Sequence, residues 1–143
     1  MSATFRRLLL RFNGAFLIVA SLGALIRMDF PGAFGGTGPL GPLIAHEPSL
    51  AIGVVEAHGL ALILGVLIVR AQSSLSTHLT GTAIHLLLGG SNMLFWQIFV
   101  VSDMVPVGYV TTILHGVLFA LHVGAAFFVA RHPVAGTATT TLL

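Results

Sequence analysis

The chain has 143 residues, 56% of them hydrophobic and only 7% charged, with a mean hydropathy of +1.03; a soluble domain with a polar shell does not reach such values, which leaves the membrane class. Lysine is absent and the six arginines stand near the ends of apolar runs, so the formal charge of +2 is topological and nucleic acid is excluded as a partner. Cysteine is absent too, which excludes disulfides, thiolate metal sites, iron–sulfur clusters and c-type haem attachment and leaves metal chemistry to histidine.

Four apolar runs follow one another, at about Leu8–Ile26, Leu50–Val69, Thr82–Val101 and Val105–Ala130. Each reaches the roughly 20 residues that cross a bilayer core, so the expected fold is an all-α membrane protein, a single four-transmembrane-helix domain over residues 1–132. Arg6 and Arg7 before the first run resemble the n-region of a signal peptide, with Ala20-Ser21-Leu22 as a loose cleavage site. A retained helix is the expectation.

Arg6, Arg7, Arg11, Arg70 and Arg131 fall on one side of a four-span arrangement, whereas Arg27 shares the other side with Asp29, Glu47 and Asp103. The positive-inside rule then puts both termini in the cytoplasm, and a bacterial inner membrane is the expected location. The connection between the first two runs, residues 31–42, is too rich in glycine and proline for a helix and is expected to be a linker or a lid over the outer mouth. The segment 133–143, with its run of threonines, is expected to be a disordered tail. Ala57-His58-Gly59-Leu60 and Leu114-His115-Gly116-Val117 form a faint internal repeat.

At about 1.5 Å of rise per residue, His58 lies roughly 12 Å below the outer end of the second helix, and Asn92 and His115 come out at similar depth in the third and fourth. His85 and His122 lie seven residues further in, on the same helix faces as Asn92 and His115. Ionisable groups in spanning helices usually face the bundle interior, a pore or a cofactor, whereas interhelical hydrogen bonding is the plainer role, expected for His85 and His122 taken singly. Glu56 is expected to be an interfacial charge or a partner to a ligand. His46, His78 and His132 fall in loops or at interfaces and are expected to be solvated. Gly59, beside His58, makes room for a flat ligand; Gly65, Gly89, Gly90, Gly116 and Gly124 are expected mainly to let helices approach. Trp96, one turn outward from Asn92, either lines the same cavity or sits in an interfacial belt.

Neutral imidazole suits haem iron, zinc and copper. Zinc and copper usually want three or more protein ligands, and the upper layer offers His58 and His115 but no intramembrane aspartate. Haem b needs only one or two axial nitrogens and a large apolar slot, so it is the cofactor expected on ligand count.

The residues that follow in order also resemble a family: Gly14 in the first helix, the glycine-rich outer connection, His46-Glu47-Pro48-Ser49, Ala57-His58 followed by Gly65, and Gly89-x-x-Asn92-x-x-Phe95. Over roughly residues 10–100 the chain is similar to the styrene oxide isomerases, small four-helix membrane proteins that carry haem b. The resemblance implies that His58 is the axial metal ligand, with Gly59 and Gly65 in the cofactor site. It implies an enzyme whose ferric haem acts as a Lewis acid, opening a lipophilic epoxide to a carbonyl compound with no net redox change, and a homotrimer. The chain departs from the family at Leu64, Leu88 and Trp96, where the family carries an asparagine, an aspartate and a tyrosine. On this view Asn92, His115 and Trp96 line the substrate side as the catalytic groups. Two other functions stay open: a b-type cytochrome subunit clamping one or two haems between His58 and His115 or His85 and His122, and a haem-free acid–base isomerase or cyclase of a lipophilic metabolite.

Overall fold

A computed structural model describes residues 1–132; the expected tail at 133–143 lies outside the described residues. Every regular element among them is helical. The order is α1 (Ala3–Ala24), a π-helical turn (Leu25–Asp29), α2 (Phe30–Gly35), α3 (Gly41–His46), α4 (Ser49–Arg70), α5 (Leu75–Leu94), α6 (Trp96–Val101) and α7 (Val105–Arg131). Three stretches are long and apolar enough to cross a membrane: the continuous helical segment Ala3–Gly35, then Ser49–Arg70 and Val105–Arg131.

Local chemistry moves several boundaries away from those that apolarity alone suggests. α5 begins at Leu75 rather than Thr82 because Ser74 and Thr77 form a reciprocal capping box, which satisfies free N–H groups of a polar first turn. The third run is also divided, since Phe95 leaves the helical region (φ −107°, ψ 31°) and separates α6 from α5.

The connection at 31–42 is not simply a linker. Pro31 and Pro42 each sit in the first turn of a short helix, α2 and α3, where a missing N–H costs nothing. Gly36 ends α2 in the left-handed region at φ 61°, a conformation that glycine adopts without steric penalty.

α1 packs on α4 and α5 packs on α7. Leu10 and Leu17 of α1 meet Ile68 of α4 and Ile84 of α5, while Leu9 meets Leu118 and Ala125 of α7, so α1 touches all three other long helices. Close approach at the first pair requires glycine at position 14, where a Cβ would lie 2.5 Å from the Val69 backbone nitrogen. The distribution of side chains is inverted relative to a soluble domain. Leu67, Leu86, Leu87 and Phe127 face outward, whereas Asn13, Asp29, His78, His85, His115 and His122 are buried.

The arginine pattern has a structural counterpart. Arg6 Nε donates to Ser73 Oγ in the α4–α5 connection at 3.3 Å, and its guanidinium lies 5.2 Å from the Phe128 ring near the end of α7. The start of α1, the α4–α5 connection and the end of α7 therefore share one end of the molecule, called here the Arg6 end.

Candidate functional site

A cavity of about 660 Å³ opens between the helices, walled largely by Phe16, Leu17, Leu88, Phe99 and Met104. That volume is within the ordinary range for small-molecule and cofactor sites. Its polar wall includes His58, Asn92 and His115, so the three side chains placed in one layer by depth do surround one space. Arg27 and Pro39 mark its reach toward the end opposite Arg6.

His58 is held from behind. Its Nδ1 lies 2.6 Å from Asp29 Oδ2, and the carboxylate is fully buried whereas the imidazole is one-third exposed. Nδ1–H donates to the carboxylate, which leaves Nε2 as the nitrogen available to a ligand. The π-helical turn carries Asp29 to this position; such local widenings add a residue to the helix and re-aim the side chains after it. Asp29, read from the sequence as a topological charge, is thus a partner of His58. Its other oxygen, Oδ1, is buried without a hydrogen-bond partner.

Asn92 Nδ2 donates to Thr111 Oγ1 at 3.1 Å, which pins the amide of α5 against α7. His115 is held by a longer network. Its Nδ1 lies 2.9 Å from His85 Nδ1, His85 Nε2 lies 2.8 Å from Asn13 Oδ1, and Asn13 Nδ2 lies 2.8 Å from His122 Nε2. His122 Nδ1 then lies 3.1 Å from His78 Nδ1, and His78 Nε2 lies 2.9 Å from Ser73 Oγ.

One proton on each ring satisfies this whole network. Asn13 Oδ1 accepts, so His85 donates from Nε2 and accepts at Nδ1 from His115 Nδ1–H. Asn13 Nδ2 donates, so His122 accepts at Nε2 and donates from Nδ1 to His78, whose Nε2–H reaches Ser73. The consequence falls on His115: Nδ1 is committed, and Nε2 presents a lone pair on the cavity side.

The remaining expected site residues are placed as follows. Gly59 has open space where a Cβ would stand, whereas Gly65 packs against the Gly14 carbonyl and Ile18 of α1 and holds helices together. Trp96 stands apart from the cavity wall, its ring 4.7 Å edge-on from Tyr109 and 5.5 Å from Phe99. Glu56, His46 and His132 are exposed. His78 is not solvated, as its loop placement suggested, but fully buried, because the capped first turn of α5 carries it into the interior. No set of three or more histidine or carboxylate side chains among the described residues is arranged to hold a metal ion by itself.

Asn13, a polar exception in the first apolar run, is the hub of this network. The signal was present, since a strongly polar residue midway along an apolar run must find partners within the protein. No protein-family model, curated protein or solved structure matches the chain.

Proposed function

We propose that the chain is a four-span integral membrane protein that binds haem b through His58 and rearranges a lipophilic epoxide to a carbonyl compound. The observation that carries this reading is the Asp29–His58 pair on the wall of a large, mainly apolar cavity. A carboxylate accepting from the far nitrogen of a ligating histidine fixes its tautomer and orientation and raises its basicity. The orphaned Asp29 Oδ1 keeps the carboxylate's second lone-pair site unspent. These features fit a haem that His58 Nε2 would hold.

Held by His58, a ferric haem would supply Lewis-acid activation of an epoxide oxygen. The protein's own residues do the rest. Asp29 orients His58; Phe16, Leu17, Leu88 and Met104 give a lipophilic substrate an apolar wall; Asn92, steadied by Thr111, and His115 Nε2 offer the polar contacts that orient a bound oxygenated substrate. The resemblance to the styrene oxide isomerases supports the same assignment and extends it to a homotrimer. The clustering of Arg6 with the α4–α5 connection and the end of α7 supports both termini on the cytoplasmic side of an inner membrane.

A second reading is favoured by one observation, the His115 Nε2 lone pair on the same cavity. Two imidazoles on one haem would make a b-type electron-transfer subunit with no free iron position. The visible spectrum of protein produced with ample haem decides between them. A Soret band with a high-spin ferric spectrum that shifts on adding an epoxide analogue is expected. A low-spin spectrum unaffected by that ligand would replace the isomerase with the cytochrome, and absence of a Soret band would remove both.

A further inference from the structure

We infer that the buried histidines form a proton path from the cavity to the Arg6 end, an activity separate from the chemistry proposed for the cavity itself. The chain of contacts is unbroken: His115, His85, Asn13, His122, His78 and Ser73 succeed one another at 2.8–3.1 Å. It alternates among α7, α5 and α1 and ends on the α4–α5 connection beside Arg6. Along α7 alone, His115 to His122 covers roughly 10 Å of depth, and His78 continues the line toward the helix end.

A role in helix adhesion alone would be met by isolated pairs. Here every ring nitrogen from His85 to His78 is used, and each residue passes a bond from one helix to the next. Intramembrane histidine chains of this kind are the usual material of proton relays. The network also has two self-consistent directions. As placed, all bonds point from cavity to Ser73; with the Asn13 amide reversed, each ring takes its other tautomer and all bonds point back. Passage of one proton converts one direction into the other.

The transfer balances in protons and needs no electrons. A proton from cavity water binds His115 Nε2, and the Nδ1 proton moves to His85 Nδ1. His85 Nε2 gives its proton to Asn13 Oδ1 as Asn13 Nδ2 gives one to His122 Nε2, leaving the imidic-acid tautomer of the amide. His122 Nδ1 passes its proton to His78 Nδ1, and His78 Nε2 releases one through Ser73 to water at the Arg6 end. The imidic acid returns to the amide by moving its Oδ1 proton to Nδ2, and amide and rings reorient before the next proton, so the path is slow beside an open pore. Ser21, Asn92 and Thr111 provide the cavity with the polar partners that water requires.

The test is independent of haem. Protein made without added haem is reconstituted in phosphatidylcholine–phosphatidylglycerol vesicles loaded with pyranine, and a potassium gradient with valinomycin drives protons inward. Proton entry at least about fivefold faster than in protein-free vesicles is expected, falling to the protein-free rate in His85→Gln, which keeps hydrogen bonding but does not relay a proton. Size-exclusion and circular dichroism profiles verify the variant's fold, and His78→Gln takes its place if it does not assemble. Wild-type flux equal to that of empty vesicles overturns the path, as does undiminished flux in a folded variant. Flux here, together with no Soret band in protein produced with ample haem, retains the path and loses the haem proposal.

Discussion

His58 Nδ1 and Asp29 Oδ2 stand 2.6 Å apart across the junction of α4 with the π-helical turn. Removing either partner has a different consequence. His58→Ala deletes the nitrogen expected to hold iron, so the purified variant should lack the Soret band. Asp29→Asn leaves that nitrogen and loses only the charged acceptor, so haem affinity should fall by about 10–100-fold without vanishing. Haem titration followed at the Soret maximum measures both, and full occupancy in His58→Ala would sink the ligand assignment.

Asn13 ties α1 to α5 and α7 through two 2.8 Å contacts and is fully buried. Interhelical hydrogen bonds in membrane proteins are commonly worth only about 0.6 kcal/mol. Here truncation orphans a donor on His85 and an acceptor on His122 together, so Asn13→Leu should destabilise by about 2 kcal/mol, toward the upper end for such groups. Thermal unfolding in detergent measures the change. His85→Leu in the Asn13→Leu background should cost less than in the wild type, because the partner is already lost.

The parts of this arrangement that the sequence discloses are those set by residue type along one helix. The positions of α4 and α7 follow from uninterrupted apolarity, and the common layer of His58, Asn92 and His115 follows from rise per residue. What it conceals depends on two segments meeting. Asp29 reads as a charge near a helix end, and only the π-helical turn brings it to a histidine 29 residues later. His78 precedes the apolar run, so its burial depends on a cap rather than on hydropathy. α2 and α3 escape notice because the prolines that usually break helices here stand in the first turn of each, and a glycine stops the first.

Gly14 and Gly23 lie on the same helix and should answer alanine differently. A Cβ at Gly14 would meet the backbone of Val69 at 2.5–2.7 Å, whereas one at Gly23 meets nothing within 4 Å. Backbone has no alternative rotamer, so Gly14→Ala must push α1 from α4 at a cost of about 1–3 kcal/mol. Gly23→Ala should be neutral or slightly stabilising, since alanine is the better helix former. Comparable melting temperatures for the two variants would contradict the packing of α1 on α4.

Gly81 provides the space for the His122 ring. A Cβ there would stand 2.6 Å from both Cε1 and Nδ1 of that imidazole, and Nδ1 is the atom that reaches His78. Gly81→Ala should therefore displace the ring, break the His122–His78 contact and destabilise by about 1–3 kcal/mol. If the ring is the source of the clash, His122→Ala should absorb most of the penalty, and the double variant Gly81→Ala/His122→Ala should be close in stability to His122→Ala alone. Additive losses would mean that the methyl group collides with something other than the imidazole. The same pair separates packing from relay: Gly81→Ala should abolish proton entry into reconstituted vesicles, and removal of His122 should not restore it however well the double variant folds.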